Sequence, residues 1–172
     1  PLDSNSTPAD LDSDFIPDST DTDIDGDGYL NNNDIFPRDS SEWLDTDSDT
    51  IGNNADTDDD NDGYSDTVET TENTDPLDSN STPADLDSDF IPDSTDTDID
   101  GDGYLNTDDI FPRDSSEWLD TDSDTIGNNA DTDDDNDGYN DTVETAENTD
   151  PFDPNSTPAD LDSDFIPDST DT

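Results

Sequence analysis

Acidic residues recur at every second position in short bursts: Asp10, Asp12 and Asp14, then Asp23, Asp25 and Asp27, Asp45, Asp47 and Asp49, and Asp58, Asp60 and Asp62. Apolar residues come in runs of only two or three, as in Ile35-Phe36 ahead of Pro37. The bursts predict tightly turning loops, because Asp is a poor helix former that favours turns and caps. Pro and the larger apolar residues gather in two places per copy, residues 35–44 and 70–84, which predicts linkers there. Only residues 67–73 offer room for a helix, of about one or two turns. No run is long enough for a membrane-spanning helix or the core of a signal peptide.

Composition removes the usual source of folding energy. Of 172 residues, 55 are acidic and two basic, giving a formal charge of −53, and 22% are hydrophobic. So little apolar surface does not offset the entropy of ordering the backbone, and something else must fold the chain. A solvated acidic tail is the alternative, but it leaves the register of Asp and Gly unexplained. The charge excludes nucleic acid and anionic membrane surfaces as partners and invites cations. Without His, Cys or Lys, and with only Arg38 and Arg113, the chain is poorly equipped for catalysis.

The chain is a tandem repeat. Pro1-Leu2-Asp3-Ser4-Asn5 returns at Pro76 and, varied, at Pro151, a period of 75 residues. Copies 1–75 and 76–150 differ at four positions (Asn32/Thr107, Asn33/Asp108, Ser65/Asn140, Thr71/Ala146), and residues 151–172 begin a third copy. These limits define three domains, and their near-identity predicts an excerpt from a longer array.

Each burst fits a twelve-residue calcium loop whose ligands come from positions 1, 3, 5, 7, 9 and 12. Loop one (10–21) offers Asp10, Asp12, Asp14, Asp18 and Asp21; loop two (23–34) offers Asp23, Asp25, Asp27, Asn31 and Asp34. Loop three (45–56) offers Asp45, Asp47, Asp49, Asn53 and Asp56; loop four (58–69) offers Asp58, Asp60, Asp62, Asp66 and Glu69. In the second copy, loops five (85–96) and six (98–109) offer Asp85, Asp87, Asp89, Asp93, Asp96, Asp98, Asp100, Asp102, Asn106 and Asp109. Loops seven (120–131) and eight (133–144) offer Asp120, Asp122, Asp124, Asn128, Asp131, Asp133, Asp135, Asp137, Asp141 and Glu144. Loop nine (160–171) offers Asp160, Asp162, Asp164, Asp168 and Asp171.

The spacing has a physical reason: Ca²⁺ takes six to eight hard oxygens at about 2.3–2.6 Å, and alternate residues of a tight loop point inward together. Position 7 gives a backbone carbonyl, leaving the rings of Tyr29 and Tyr64 free to pack elsewhere. Gly28 and Gly63 stand at the sharp turn of loops two and four, and Glu69 at position 12 reaches an ion with both oxygens, so those loops are expected to fill first. Phe15 and Thr50 stand where Gly would relieve a left-handed turn, at a cost of roughly 1 kcal/mol each. About four ions per repeat are expected.

Loops pair closely, with only Thr22 or Thr57 between them. No helix fits inside a pair, which excludes a helix-loop-helix hand there. Asp21, Asp23, Asp56 and Asp58 are placed to serve two ions.

The runs Asp10-Leu11-Asp12-Ser13-Asp14-Phe15-Ile16-Pro17-Asp18, Asp21-Thr22-Asp23-Ile24-Asp25-Gly26-Asp27-Gly28 and Asp56-Thr57-Asp58-Asp59-Asp60-Asn61-Asp62-Gly63 resemble thrombospondin type 3 repeats in their cysteine-free bacterial form. Thr74-Asp75-Pro76-Leu77 resembles the linker common there. The resemblance implies an irregular, elongated array with little regular secondary structure, its Asp-rich loops wrapped around calcium. It also implies an extracellular or cell-surface setting on a bacterium or archaeon. Dockerin modules share paired calcium loops, but theirs lead into partner-binding helices for which Pro17, Pro37 and Pro83 leave no room.

Phe36, Trp43 and Leu44, with Phe15, Ile16, Tyr29 and Leu30, are expected to form small clusters fixing one loop pair against the next; an aromatic shelf for a ligand is the alternative. Arg38 is expected to neutralise nearby carboxylates. Asn5, Asn80, Asn140 and Asn155 head glycosylation triplets suited to an exposed rod carrying covalent glycans. Two non-enzymatic functions follow: a calcium-stiffened spacer, stalk or filament segment associating with neighbouring copies, or an adhesive module gripping a glycan, mineral or cell-surface ligand. The longer linker is expected to yield to proteases first.

Overall fold

In the computed structural model, residues 7–171 are described. Among them there are two short helices, α1 (Asp66–Glu72) and α2 (Asp141–Glu147), and no strand. The rest is loop and turn: an irregular repeat protein. The chain divides into two compact units, Pro1–Ala84 and Asp85–Thr172.

Loops rather than helices form because the bursts satisfy their own backbone through carboxylates. In loop one, Asp10 Oδ2 accepts the Phe15 N–H at 3.2 Å, Asp12 Oδ1 that of Asp14 and Asp14 Oδ1 that of Ile16. Each Asp thereby makes the side-chain-to-backbone turn that competes with helix. Two residues per loop take positive φ, at positions 4 and 6: Ser13 (66°) and Phe15 (77°) in loop one, Gly26 (72°) and Gly28 (98°) in loop two, Ser48 (67°) and Thr50 (82°) in loop three. Only position 6 is anticipated by the sequence. At Gly26 the reason is also steric, since a Cβ there would lie 2.8 Å from Asp12 Oδ2 of the paired loop.

Position 9 closes the loop. Asp18 donates its N–H to Ala9 C=O at 2.9 Å, and its Oδ1 accepts the Leu11 N–H at 2.9 Å. Asn31, Asn53 and Asp66 repeat both bonds. The chain then turns once more, with Asp21 N–H bonding Pro17 C=O at 3.0 Å and Asp56 N–H bonding Gly52 C=O at 2.9 Å.

From position 9 of loop four the chain continues as α1, because residues 67–72 contain no Pro or Gly. Asp66 and Glu69 in the first turn suit the positive end of the helix dipole. The helix ends at Asn73, left-handed at φ 61°, whose N–H caps Glu69 C=O; Pro76 follows. α2 repeats this through Asn148.

The linkers are ordered. In 35–44, Trp43 stacks on Tyr29 with centroids 4.8 Å apart and planes 5° from parallel, and Ile35 N–H reaches Trp43 C=O at 3.3 Å. Asp39 accepts Ser41 Oγ at 2.6 Å, which holds its carboxyl below the usual carboxylate range. In 70–84, Asp75 N–H bonds Ser81 Oγ at 2.9 Å. The expected apolar clusters form only in part: Ile16, Leu30 and Leu44 are exposed and Phe15 is 95% exposed. These residues lie on thin loops with no second layer to cover them.

In the second unit the long linker is bridged, contrary to the looseness expected of it. Tyr139 Oη donates to Asp160 Oδ2 at 2.7 Å, the rings of Tyr139 and Phe165 lie 5.7 Å apart, and Ser169 Oγ donates to Glu147 Oε1. A Cβ on Gly138 (φ 102°) would strike the Phe165 ring. Loop eight thus packs on loop nine and pins residues 145–159 from both sides.

Candidate metal centres

The interior of this protein is anionic. Among the described residues only Tyr64 and Tyr139 are buried hydrophobics, whereas Asp25, Asp34, Asp45, Asp59, Glu69, Asp100, Asp109, Asp134, Asp135 and Glu144 are buried acids. Glu69 and Glu144 are fully buried. The carboxylates at positions 1, 3 and 5 converge in Asp10/Asp12/Asp14, Asp23/Asp25/Asp27, Asp45/Asp47/Asp49, Asp58/Asp60/Asp62 and Asp85/Asp87/Asp89, with oxygens within 4.8 Å of one another; four more acidic groups do the same. That spread matches oxygens on opposite sides of one ion at about 2.4 Å.

Many of these oxygens have no partner in the protein. Asp25, Asp27 and Asp34 in loop two, Asp58, Asp60, Asp62 and Glu69 in loop four, and Asp98, Asp100, Asp102 and Asp109 in loop six each bury one carboxylate oxygen that accepts no hydrogen bond. Asp10, Asp96 and Asp122 do so in the other loops, and Glu144 buries both of its oxygens this way. Burying an unpaired carboxylate costs several kcal/mol, so such an interior calls for cations, protons or water to satisfy it. The set is all hard oxygen, which fits Ca²⁺ and not a soft transition metal.

Electrostatics brings position 12 into the same groups. Burial, then Asp62 and Asp60, push the Glu69 carboxyl up to about 7; burial, then Asp137 and Asp135, do the same at Glu144. Asp34 is among the charges that raise Asp25, and Asp21 among those that raise Asp12, burial being the first cause in both. Asp21 and Asp56 also face forward: their Oδ1 atoms accept the first N–H of the next loop, Asp23 at 2.9 Å and Asp58 at 3.1 Å.

Position 9 differs from the other candidate ligands. Asn31 has Oδ1 on the Ile24 N–H and Nδ2 on Asp21 C=O; Asn53 has Oδ1 on the Thr46 N–H and Nδ2 on Thr46 Oγ1. Asn106, Asn128, Asp93, Asp141 and Asp168 bond the position-2 N–H likewise. Asp18 also pairs with Arg38 at 3.1 Å and Asp93 with Arg113 at 2.8 Å, as expected for the two lone bases. Asp45, Asp85, Asp120, Asp133 and Asp160 each accept the position-6 N–H of their loop. Asp47, Asp124 and Asp164 hold neighbouring N–H groups in the same way. Asp49, Asp87, Asp89 and Asp137 do so too. Asp131 caps Thr132 and Asp133; Asp162 and Asp171 are exposed. Asn80, Asn140 and Asn155 are exposed, and Asn5 lies outside the described residues.

Sequence reasoning misses two pairs of acids. Glu42 and Glu117 reach from the short linker onto loops three and seven, accepting the N–H of Asn54 and Asn129 at 3.0 Å, with their carboxylates against Gly52 and Gly127. A Cβ at either glycine would collide with that carboxylate. Asp59 and Asp134 are buried at position 2 of loops four and eight, the only loops with an acid there; that oddity was the available signal.

No helix among the described residues is long and apolar enough to cross a membrane. No curated protein matches the chain. The bacterial TSP3 repeat family matches residues 58–79 and 133–154, each covering loop four or eight, its helix and the linker start. The thrombospondin type 3 repeat family matches residues 9–42, spanning the first loop pair and most of the short linker. Both describe calcium-binding modules, and the acidic groups fit that chemistry. Residues 58–79 and 133–154 are thus similar to the bacterial TSP3 repeat and residues 9–42 to the thrombospondin type 3 repeat, together less than half of the chain.

Proposed function

We propose that the chain is a non-enzymatic, extracellular spacer or stalk segment of a bacterial or archaeal surface protein, given its fold by calcium. The observation that carries this reading is the interior itself: buried carboxylates with unpartnered oxygens stand where a globular protein has apolar side chains. Positions 1, 3, 5 and 12 of each loop would hold an ion, with the position-7 carbonyl, and the ion's charge would offset the repulsion between them. Residues 1–75 hold 24 acids and one Arg, a net −23, which four ions bring to −15. The unpartnered oxygens concentrate in loops two, four, six and eight, which supports those loops as the tighter sites.

Near-identical copies in series favour length over a single recognition site, and Trp43 is half-buried, with one face stacked on Tyr29. The three exposed sequons suit covalent glycans on such a spacer. The test is the hydrodynamic radius and near-ultraviolet circular dichroism with calcium and in excess chelator. The molecule should expand and lose its aromatic signal on chelation; an unchanged radius would refute the proposal.

A further inference from the structure

We propose that Asp59 and Asp134 are ligands lent across the second loop pair of each repeat: they belong to loops four and eight but complete the ion sites of loops three and seven. The inference rests on the calcium reading above and adds to it a coupling between sites.

Position 2 is Leu, Ile or Thr in every other loop. At 59 and 134 it is Asp, held 9% and 5% exposed, with Oδ1 buried and without a hydrogen-bond partner. Neither acid has a task in its own loop, where only its N–H is used, by Asp66 or Asp141. The groups facing Asp59 include Asp66 of its own loop, but also Asp56, Asp47 and the Asn53 side chain, all of loop three. Asp134 faces Asp141, Asp131 and Glu117, the last two at the closing end and flank of loop seven. Burial and these carboxylates push both groups up to about 6. A cation on the loop-three side is what satisfies Oδ1.

Loop three needs the help. It takes its two left-handed positions without glycine, and Asn53 turns its side chain to Thr46 and Asp59, leaving Asp45, Asp47, Asp49 and Asp56 as its own carboxylates. A donor mounted on loop four makes occupancy of one loop shape the other, so the pair should fill together. The first pair has Ile24 at the equivalent position and lacks this link, which makes it an internal control.

The test is a terbium titration, backed by calcium calorimetry, of the whole chain carrying Asp59→Asn with Asp134→Asn, and separately Asp59→Ile with Asp134→Ile. Trp43 and Trp118 lie two residues ahead of loops three and seven and stack on Tyr29 and Tyr104 of loops two and six, so Trp-sensitised terbium emission reads loops two, three, six and seven, whereas Tyr64 and Tyr139 lie in loops four and eight. Both variants should split the Trp titration, with the part from loops three and seven weakened about tenfold or more and the part from loops two and six staying put, and calorimetry should show the same single weakened class. Emission unchanged from that of the unaltered chain, or a loss confined to the Tyr signal, would overturn the inference while leaving the calcium reading intact. An unaltered chain that sensitises no terbium and binds no calcium would overturn both.

Discussion

Replacing Glu69 and Glu144 by Gln should move the metal-free and calcium-loaded protein in opposite directions. Glu69 has no exposed surface, its Oε2 is unpartnered, and Asp58, Asp60 and Asp62 surround it. Its carboxyl stands at about 7 in the fold against an ordinary 4.5. Without metal the folded state therefore holds a proton that the unfolded chain gives up. The penalty is absent below about 4.5, grows as the pH rises, and is complete above about 7. At 1.4 kcal/mol for each pH unit between the two values, its ceiling is about 3 kcal/mol per Glu. Water reaching the half-exposed Asp60 and Asp62 reduces it.

Gln removes that penalty, so the chelated double variant should keep more α1 and α2 helical signal at pH 8 than the unaltered chain, with no difference at pH 4. With calcium the sign reverses: loops four and eight lose a charged ligand and should bind at least ~10-fold more weakly, about 1.4 kcal/mol. Far-ultraviolet circular dichroism across pH, with and without chelator, reads the first effect, and calorimetry the second. A variant weakened in both states, or in neither, would refute the role assigned to Glu69.

Phe15→Gly should be neutral or stabilising by up to about 1 kcal/mol, since a 95%-exposed ring at φ 77° gives up only backbone strain. Phe165→Gly should instead destabilise, because that ring carries Tyr139; thermal melts in saturating calcium compare the two. Tyr139→Phe removes the bond to Asp160 that pushes the phenol up to about 12, and should raise cleavage between residues 145 and 159 about fivefold in limited proteolysis, the effect of about 1 kcal/mol. Unchanged cleavage would show that this bond does not hold the linker. Arg38→Ala and Arg113→Ala should cost less than about 1 kcal/mol, and less again in high salt, because both guanidinium groups are largely exposed; urea titrations at two ionic strengths measure it.

The convergence of carboxylates is legible in the sequence because a period of two in a loop is a local property: the Asp residues at positions 3 and 5 bond the N–H two residues on and that at position 1 the N–H five residues on, so the triplets gather without help from distant parts. The short helix after loop four is legible for the same reason, from a Pro-free and Gly-free stretch ending at Asn73 and Pro76. What the sequence hides depends on contacts between elements. Nothing local says that Glu42 folds onto Gly52, that Asp59 is buried, or that Phe165 receives Tyr139 while Phe15 stays bare. Position 9 reads as a ligand by template, and only the closed loop reveals its oxygen on the position-2 N–H. Left-handed φ at position 4 escapes notice because Ser, Gly and Asn alternate there, and only Gly advertises it.

The forward-facing carboxylates of Asp21 and Asp56 bear on how such a gene can change length. Each closes one loop and caps the first N–H of the next across a single Thr, so the phase of two loops is set by one residue. Inserting or deleting one codon there would break the cap and turn the second loop's carboxylates out of step with the first. Frame-preserving drift is tolerable only between pairs, and a working array grows or shrinks most safely by whole 75-residue units. Selection against single-codon indels should then be strongest at Thr22, Thr57, Thr97 and Thr132.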